Sequence, residues 1–278
     1  TNPGSSGYYT IARENAHRFD AFLSDYPDWI KTQGSLHIGT HPPGLFIEAY
    51  RSLKLMRDYP SLAAWVDGAA PASVSLAFKL LSDRGGLPRA DRASVTLTGA
   101  LTLVLCATAA IPLYLLARRT LGPASAWACA ACWPLIPAAL LFQPTADTAF
   151  PFLTLWALVF LSWSEARWGW AIPCGVVLGL GMQATLAFLP AGLIVAVMIF
   201  TRRPIDKKSL IRFIAVGVGF LGTTFAAWGL TSANPFAIWW ANQRNHAGFY
   251  VQFPRSYLAW VAETPIEIAI ALGIPVAV

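Results

Sequence analysis

Long uncharged stretches after Arg92 limit the folds open to this chain more than any other feature. Twenty-five uncharged residues separate Arg92 from Arg118, and 27 separate Arg119 from Asp147. A further 17 separate Asp147 from Glu165. A helix that rises ~1.5 Å per residue needs about 20 apolar residues to cross the hydrocarbon of a bilayer. Each of the first two stretches therefore predicts one membrane crossing, and the third predicts a short one.

The next uncharged stretch is too long for one crossing. It holds 34 residues between Arg167 and Arg202. Cationic loops favour the cytoplasm, so an even number of crossings is expected between these two flanks. Two short helices or a re-entrant hairpin would satisfy this, with the glycines Gly175, Gly179 and Gly181 near the middle. We expect a further crossing from about Phe213 to Leu230 and a last one that begins near Ile266.

Composition agrees with a membrane protein. Hydrophobic residues make up 56% of the chain and charged residues 12%, against about 25% charged in soluble domains. The net charge of +6 comes from short loops between apolar runs, which indicates membrane orientation and not a nucleic-acid partner. Those loops carry Arg118, Arg119, Arg167, Arg202, Arg203, Lys207, Lys208 and Arg212. The sequence predicts an all-α polytopic transmembrane helical bundle.

Parity of the crossings predicts the topology. With the cationic loops in the cytoplasm, residues 1–92, the Gln143–Asp147 corner and the segment Thr231–Glu263 all face the other side. We divide the chain into an extracytoplasmic loop region with interfacial helices, residues 1–92, and a transmembrane helical region, residues 93–278, with an outer loop at 231–263. The chain begins with Thr1 and ends in an apolar run. We therefore expect a fragment of a longer multi-pass plasma-membrane protein, truncated at both ends.

The N-terminal region is polar and is expected to hold short helices. Tyr8 to about Leu23 can form a helix, which Tyr26–Trp29 would end because it contains a proline. Pro43 can begin another helix. Its apolar residues recur on one face: Leu45, Phe46, Ala49, Tyr50, Leu53 and Met56. Glu48, Arg51, Lys54 and Arg57 lie on another face. We expect this helix, and one or two more within residues 61–81, to lie in the membrane interface.

The stretch His37–Gly44 is the most distinctive polar segment. It contains His37 and His41 and ends in a Pro-Pro-Gly turn, which argues against a regular helix. Histidine has an unperturbed pKa near neutrality, so metal ligation, proton transfer and hydrogen bonding to phosphate are all open to this pair. A structural role for two loop histidines is the plainer alternative.

Asp147 is the most informative single residue. It follows Gln143-Pro144-Thr145-Ala146 in a tight connection between two predicted crossings, at the outer membrane boundary. A carboxylate so close to hydrocarbon is expensive and usually functional. The alternative is that Asp147 caps the N-terminus of the following helix. The two roles can coexist.

The outer segment near residue 244 offers further candidates for substrate binding. It places Arg244, His246 and Tyr250 among several aromatic residues. Arginine suits phosphate or carboxylate, and aromatic faces suit sugar rings. An aromatic belt with arginines that extend to the interface is the alternative. Gln183, a polar residue in the predicted hairpin, is expected either to face the same cavity or to hydrogen-bond between helices.

A family resemblance rests on two of these motifs. Thr40-His41-Pro42-Pro43-Gly44 followed by an amphipathic helix resembles the outer loop of GT-C membrane glycosyltransferases. The run Pro134-Leu135-Ile136-Pro137-Ala138, leading through Phe142-Gln143-Pro144-Thr145 to Asp147, is similar to that family as well. These are polytopic enzymes of the dolichyl-phosphate-mannose-protein mannosyltransferase and aminoarabinose transferase kind, which use polyprenyl-phosphate sugars.

The resemblance implies an inverting sugar transfer outside the cytoplasm, from a polyprenyl-phosphate donor to a glycan, lipid or protein acceptor in the cell envelope. It implies an acidic base in the first outer loop and cationic or divalent-metal contacts to the lipid phosphate. Asp147 matches the family's second acidic position. The family's Asp-Glu pair should align just before Tyr8, where this chain has Ser5-Ser6-Gly7, so Glu14 and Asp20 become the candidate bases. A transporter or flippase, and a non-catalytic membrane subunit, are the alternative functions.

Overall fold

The computed structural model describes residues 7–34, 37–82, 86–201, 206–254 and 256–273, and side chains at 37, 81 and 82 are outside this description. The described chain is helical and contains no strand, which confirms the all-α prediction for these residues. Its α-helices are α1 Tyr8–Glu14, α2 Phe19–Trp29, α3 Gly44–Asp58, α4 Pro60–Gly68, α5 Ala72–Ser82, α6 Arg89–Thr108, α7 Ala110–Ala117, α8 Pro123–Ala131, α9 Pro137–Leu141, α10 Phe150–Trp163, α11 Ala171–Ala184, α12 Phe188–Phe200, α13 Lys207–Thr231, α14 Pro235–Gln252 and α15 Tyr257–Leu272. Short 3-10 helices cover Ala16–Arg18, Ile30–Thr32, His37–Thr40, Trp133–Leu135, Ala146–Ala149 and Trp168–Trp170.

Three helical stretches are long and apolar enough to cross a membrane. They are Arg89–Ala117, Ala146–Trp163 and Lys207–Thr231, with 29, 18 and 25 residues. Each lies where the uncharged stretches predict a crossing. The apolar helix Phe188–Phe200 is shorter. The membrane character predicted from composition is therefore supported by three described helices.

The stretch between Arg119 and Asp147 differs from the simple crossing that its length predicts. It forms α8, the 3-10 helix Trp133–Leu135 and the five-residue α9. Pro134 and Pro137 lie at the starts of the last two pieces, where their missing N–H groups cannot continue a preceding helix. The backbone here is therefore broken before it reaches the Asp147 corner.

The stretch between Arg167 and Arg202 contains two short helices, α11 and α12, which is one of the two arrangements expected there. The first of them, α11, packs tightly on α13 because two glycines allow close approach of the backbones. A Cβ on Gly175 would collide with the carbonyl oxygen of Val216, and one on Gly219 would collide with that of Ile172. Such small-residue contacts are common where membrane helices pack. They hold α11, whose C-terminal end reaches the histidine turn, in a fixed place.

An aromatic core joins α2 and α3. Phe22, Tyr26 and Phe46 are buried, and the ring centroids of Tyr26 and Phe46 lie 5.6 Å apart in an edge-to-face contact. The helix predicted from Tyr8 to about Leu23 is divided into two, and the second part, α2, ends at Trp29, within the segment predicted to end it. Pro27 lies inside α2 near its C-terminal end, and the helical path is interrupted earlier, at Ala16–Arg18. Burial of Tyr26 in this core favours helix continuation past the proline.

The amphipathic helix α3 buries the predicted apolar face. Phe46, Ala49, Leu53 and Met56 are all buried, while α3 packs against both α1 and α6. Ser52 Oγ also donates to the Ser94 carbonyl of α6 at 3.2 Å. The helix is therefore held between the N-terminal region and a candidate membrane span. Residues 60–82 form the two helices α4 and α5, within the one or two expected, and their interfacial position stays a prediction.

A buried ion pair ties α1 to the start of α6. Asp91 is 2% exposed, and its Oδ1 lies 2.5 Å from Nε of Arg13. Burial raises the pKa of the nearby Tyr9 phenol, and the charge of the Asp91 carboxylate raises it further. A buried carboxylate needs such partners. This pair fixes α1, and with it Tyr8, against the N-terminal end of α6.

Candidate functional site

The histidine turn is held by hydrogen bonds to its carbonyl groups. His41 lies just after the 3-10 helix His37–Thr40. The Tyr26 hydroxyl donates to the His41 carbonyl at 2.9 Å, and Nδ2 of Asn242 donates to the carbonyls of Gly39 at 3.0 Å and His41 at 3.2 Å. Asn242 is fully buried. These contacts give the turn a defined backbone path.

A second asparagine of α14, Asn245, also donates hydrogen bonds that hold the histidine turn. Nδ2 of Asn245 donates to the carbonyls of Ile30 at 2.9 Å and Gly39 at 2.8 Å. Asn242 and Asn245 are three residues apart, so they share one helix face. Neither asparagine was predicted from the sequence, where Arg244 and His246 were the candidates on the same helix. The signal available in the sequence was the i, i+3 spacing of two amides in an otherwise aromatic helix.

The turn also lies against the C-terminal end of α11. A Cβ on Gly44 would collide with the Gln183 carbonyl oxygen and would lie 2.7 Å from its carbon. Nδ1 of His41 is 3.1 Å from the Ala184 carbonyl oxygen. A carbonyl can only accept, so Nδ1 carries the proton in this contact. The His41 ring orientation is therefore set by α11.

Tyr8 connects the histidine turn to the Asp147 corner. Its ring makes edge contacts with the rings of His41, at 5.5 Å between centroids, and Phe46, at 5.2 Å. Burial raises the pKa of the Tyr8 phenol, and the Asp147 carboxylate raises it further. The charge of Asp147 is thus within electrostatic reach of a side chain that touches His41. The structure brings together two motifs more than a hundred residues apart in the chain.

Asp147 itself is exposed and lies in the first turn of the 3-10 helix Ala146–Ala149. The alternative that Asp147 is an N-cap was wrong, because Thr145 occupies that position and makes no side-chain cap bond. The preceding Pro144 packs on α6, where a Cβ on Gly99 would lie 3.5 Å from the proline ring. The Asp147 corner therefore lies beside α6, and the Asp147 side chain is exposed.

Glu48 is an acidic residue of this region that the sequence analysis placed only on the polar face of α3. Thr98 of α6 donates its hydroxyl to Glu48 Oε1 at 2.9 Å. Burial raises the pKa of the Glu48 carboxyl, and the Thr98 hydrogen bond partly opposes that rise. Glu48 lines a groove of about 420 Å³ with Gly44, Ile47, Arg51, Ser52 and Leu55. Periodicity alone could not show this, because Glu48 meets α6 only in the folded chain.

Most of the other candidate residues have exposed side chains. The Gln183 side chain donates to the Gly179 carbonyl of its own helix at 3.4 Å. Its backbone carbonyl is the part that lies against Gly44. The side chain of His37 lies outside the described residues. His246 and Tyr250 contact each other edge to face at 5.5 Å. The exposed candidates are Glu14, Asp20, Arg244, His246 and Tyr250, and their roles stay predictions.

Metal ligation is one of the roles open to the His37–His41 pair. No three His, Cys, Asp or Glu side chains in the described part of the chain lie close enough together to hold a metal ion.

Comparisons with protein-family models, with curated proteins and with solved structures each gave no match.

Proposed function

We propose that this protein is a membrane glycosyltransferase that moves a sugar from a polyprenyl-phosphate donor to an acceptor on the extracytoplasmic face of the plasma membrane. The proposal builds on the motif resemblance and on the chemistry of the cluster around Tyr8. It includes the multi-pass topology and the sidedness expected from the cationic loops. The transferred sugar is a hexose or a pentose.

One observation carries the proposal. Tyr8 touches His41 and lies within electrostatic reach of Asp147. The two motifs that carry the resemblance, the His41 turn and the Asp147 corner, thus have a common neighbour. A chance motif match in a structural loop does not require such a juxtaposition.

The proposed roles follow from the chemistry of each group. The His41 ring is fixed by the hydrogen bond from Nδ1 to the Ala184 carbonyl. It donates a hydrogen bond to substrate phosphate or sugar when its other ring nitrogen, Nε2, also carries a proton. Asp147 stabilises the positive charge that develops on the sugar as the bond to phosphate breaks. Arg244 and His246 neutralise the departing lipid phosphate. Tyr8 contributes an apolar ring and a phenol between the two motifs.

A transfer assay tests the proposal directly. The full-length protein in nanodiscs would receive radiolabelled mannose, glucose or arabinose linked to polyprenyl phosphate, with octyl glycosides as acceptors. We expect a labelled glycoside product from the wild type. Asp147→Asn should lower the transfer rate by about 100-fold or more, since removal of one group that stabilises transition-state charge has effects of that order.

The matched control is Asp28→Asn, because Asp28 is an exposed aspartate whose described partner is Lys31. This variant should retain wild-type transfer. Absence of both transfer and donor binding with every lipid-linked sugar would overturn the proposal. Movement of the labelled lipid across the bilayer with no glycoside product would instead favour the flippase alternative.

A further inference from the structure

We propose that Glu48 is the catalytic base of this site and that the groove beside it seats the acceptor hydroxyl. The inference rests on the proposed glycosyl transfer and identifies a residue that neither the motifs nor the resemblance selects. Three structural features support it: the placement of Glu48 against α6, the shape and charge of the groove, and the state of the carboxyl group.

The first feature is placement. Gly44 and Glu48 are one helical turn apart on α3, so they share a face, and Gly44 lies against the end of α11 beside His41. On the opposite side, the Glu48 carboxylate accepts from Thr98, and the adjacent Gly99 lies beneath Pro144 of the Asp147 corner. Glu48 is therefore located between the same two motifs that Tyr8 connects.

The second feature is the groove. Its volume of about 420 Å³ is within the range of small-molecule sites, and it runs along one stripe of α3. Glu48 is the acidic residue of that stripe and Arg51, one turn further on, is its exposed cation. An acceptor hydroxyl near Glu48 would thus have a cation nearby to hold an anionic or polar part of the same molecule.

The third feature is the carboxyl group itself. Glu48 is only partly exposed, whereas Glu14, Asp20 and Asp147 are exposed. Burial raises the pKa of Glu48, which makes its carboxylate a stronger proton acceptor than an exposed one. The Thr98 hydrogen bond holds one carboxylate oxygen in place, and the second oxygen can take the proton.

The proposed step transfers the sugar from the lipid phosphate to the acceptor oxygen. The acceptor oxygen forms a bond to the anomeric carbon of the sugar while the anomeric carbon–oxygen bond to the lipid phosphate breaks. The phosphate leaves with the bonding electron pair. Glu48 takes the proton from the acceptor hydroxyl and later releases it to water. Nothing is oxidised or reduced.

The test compares Glu48→Gln with the wild type in the nanodisc assay, using the labelled polyprenyl-phosphate sugars and octyl glycosides. The amide can still accept from Thr98, so the fold should persist. We expect kcat to fall by about 100-fold or more, the range for loss of a general base, with little change in the KM for donor. Glu48→Asp should recover part of the loss. Asp58→Asn, an exposed change on the same helix, should behave as the wild type.

The pH profile separates a base from a structural residue. Wild-type kcat/KM should fall as pH drops through the raised Glu48 pKa, and Glu48→Gln should lose that limb. Thr98→Val removes a hydrogen bond that lowers the Glu48 pKa, so the acid limb should move to higher pH.

The outcomes distinguish this inference from the proposed function. If the wild type transfers sugar while Glu48→Gln keeps its rate and pH profile, Glu48 is not the base and the glycosyltransferase proposal stands. If the wild type neither transfers sugar nor binds the lipid-linked donors, both proposals are overturned. Suppose that Glu48→Gln loses transfer but the acid limb of the kcat/KM profile of Thr98→Val stays at the wild-type pH. That result would also contradict the role of Glu48 as base.

Discussion

Substitution of Gly44 by alanine should separate the histidine turn from α11. Gly44 begins α3, and its Cα faces the backbone at the end of α11. An added Cβ would lie 2.7 Å from the Gln183 carbonyl carbon and 3.1 Å from the Ala184 nitrogen. Ordinary Cβ contacts begin at 3.4 Å. Because the clashing atoms belong to the backbone, no side chain can rotate to relieve the contact.

The expected magnitude follows from that distance. Either α3 or the end of α11 must move by several tenths of an ångström, and overpacking of this kind costs about 1–3 kcal/mol. Alanine gains about 0.4–1 kcal/mol over glycine through the unfolded chain where its conformation is allowed. The net change in unfolding free energy should be a loss of about 1–2 kcal/mol. The same shift would lengthen the 3.1 Å contact between His41 Nδ1 and the Ala184 carbonyl oxygen.

Denaturation by sodium dodecyl sulfate in mixed micelles, followed by tryptophan fluorescence, measures this loss. Gly248→Ala is the matched control, because a Cβ at that helical glycine would meet nothing within 4 Å. We expect the control to be neutral or slightly stabilising and Gly44→Ala to be destabilising. Equal stability of the two variants would refute the close approach of α3 to α11.

Three further predictions use the same denaturation assay. Arg13→Ala should lower the free energy of unfolding by about 1–3 kcal/mol, because Asp91 would remain buried without its ion-pair partner while Arg13 itself is partly solvated. Asn242→Ala should lower it by about 1–3 kcal/mol through two lost hydrogen bonds of roughly 0.5–1.5 kcal/mol each. Glu48→Gln should stabilise the protein above pH 4.5, the ordinary pKa of glutamate. Because burial raises the folded-state pKa of Glu48, the wild type loses stability as pH rises from the unfolded-state pKa to the folded-state pKa. Glutamine does not ionise, so the variant avoids this loss.

The controls and contradicting results differ among these variants. Arg18→Ala, an exposed arginine change nearby, should leave stability unchanged, and an equal loss in both arginine variants would contradict the buried pair. Gln243→Ala, an exposed change beside Asn242, is the control for Asn242→Ala and should leave stability unchanged. Wild-type stability of Asn242→Ala would refute a stabilising role for its hydrogen bonds to the histidine turn. For Glu48, a stability difference from the glutamine variant that stays constant from pH 4 to pH 8 would exclude the raised pKa.

Local patterns in the sequence predicted the parts of the fold that depend on one element. The apolar face of α3 follows from helical spacing, and Phe46, Leu53 and Met56 are buried on it. The lengths of the uncharged stretches predicted the helical stretches Arg89–Ala117 and Lys207–Thr231, since bilayer thickness sets the length of a crossing.

Contacts between distant elements could not be predicted in this way. Asn242 reaches the Gly39 carbonyl across 203 positions in sequence, and no periodicity encodes that pairing. Helical spacing places Glu48 on the polar face of α3. Its hydrogen bond with Thr98 of α6 forms only in the folded chain. The continuation of α2 through Pro27 likewise depends on the burial of Tyr26. Sequence motifs indicated where the site lies, and tertiary packing determined which side chains face it.

The most direct measurement is a cryo-electron microscopy map of the full-length protein in a nanodisc with added polyprenyl monophosphate. We expect density for the lipid phosphate in the region bounded by Tyr8, His41 and Asp147, within reach of the groove beside Glu48. Density only along the apolar face of α15, or a saturating addition with no phosphate bound near these residues, would contradict a lipid-phosphate sugar site formed by the two motifs.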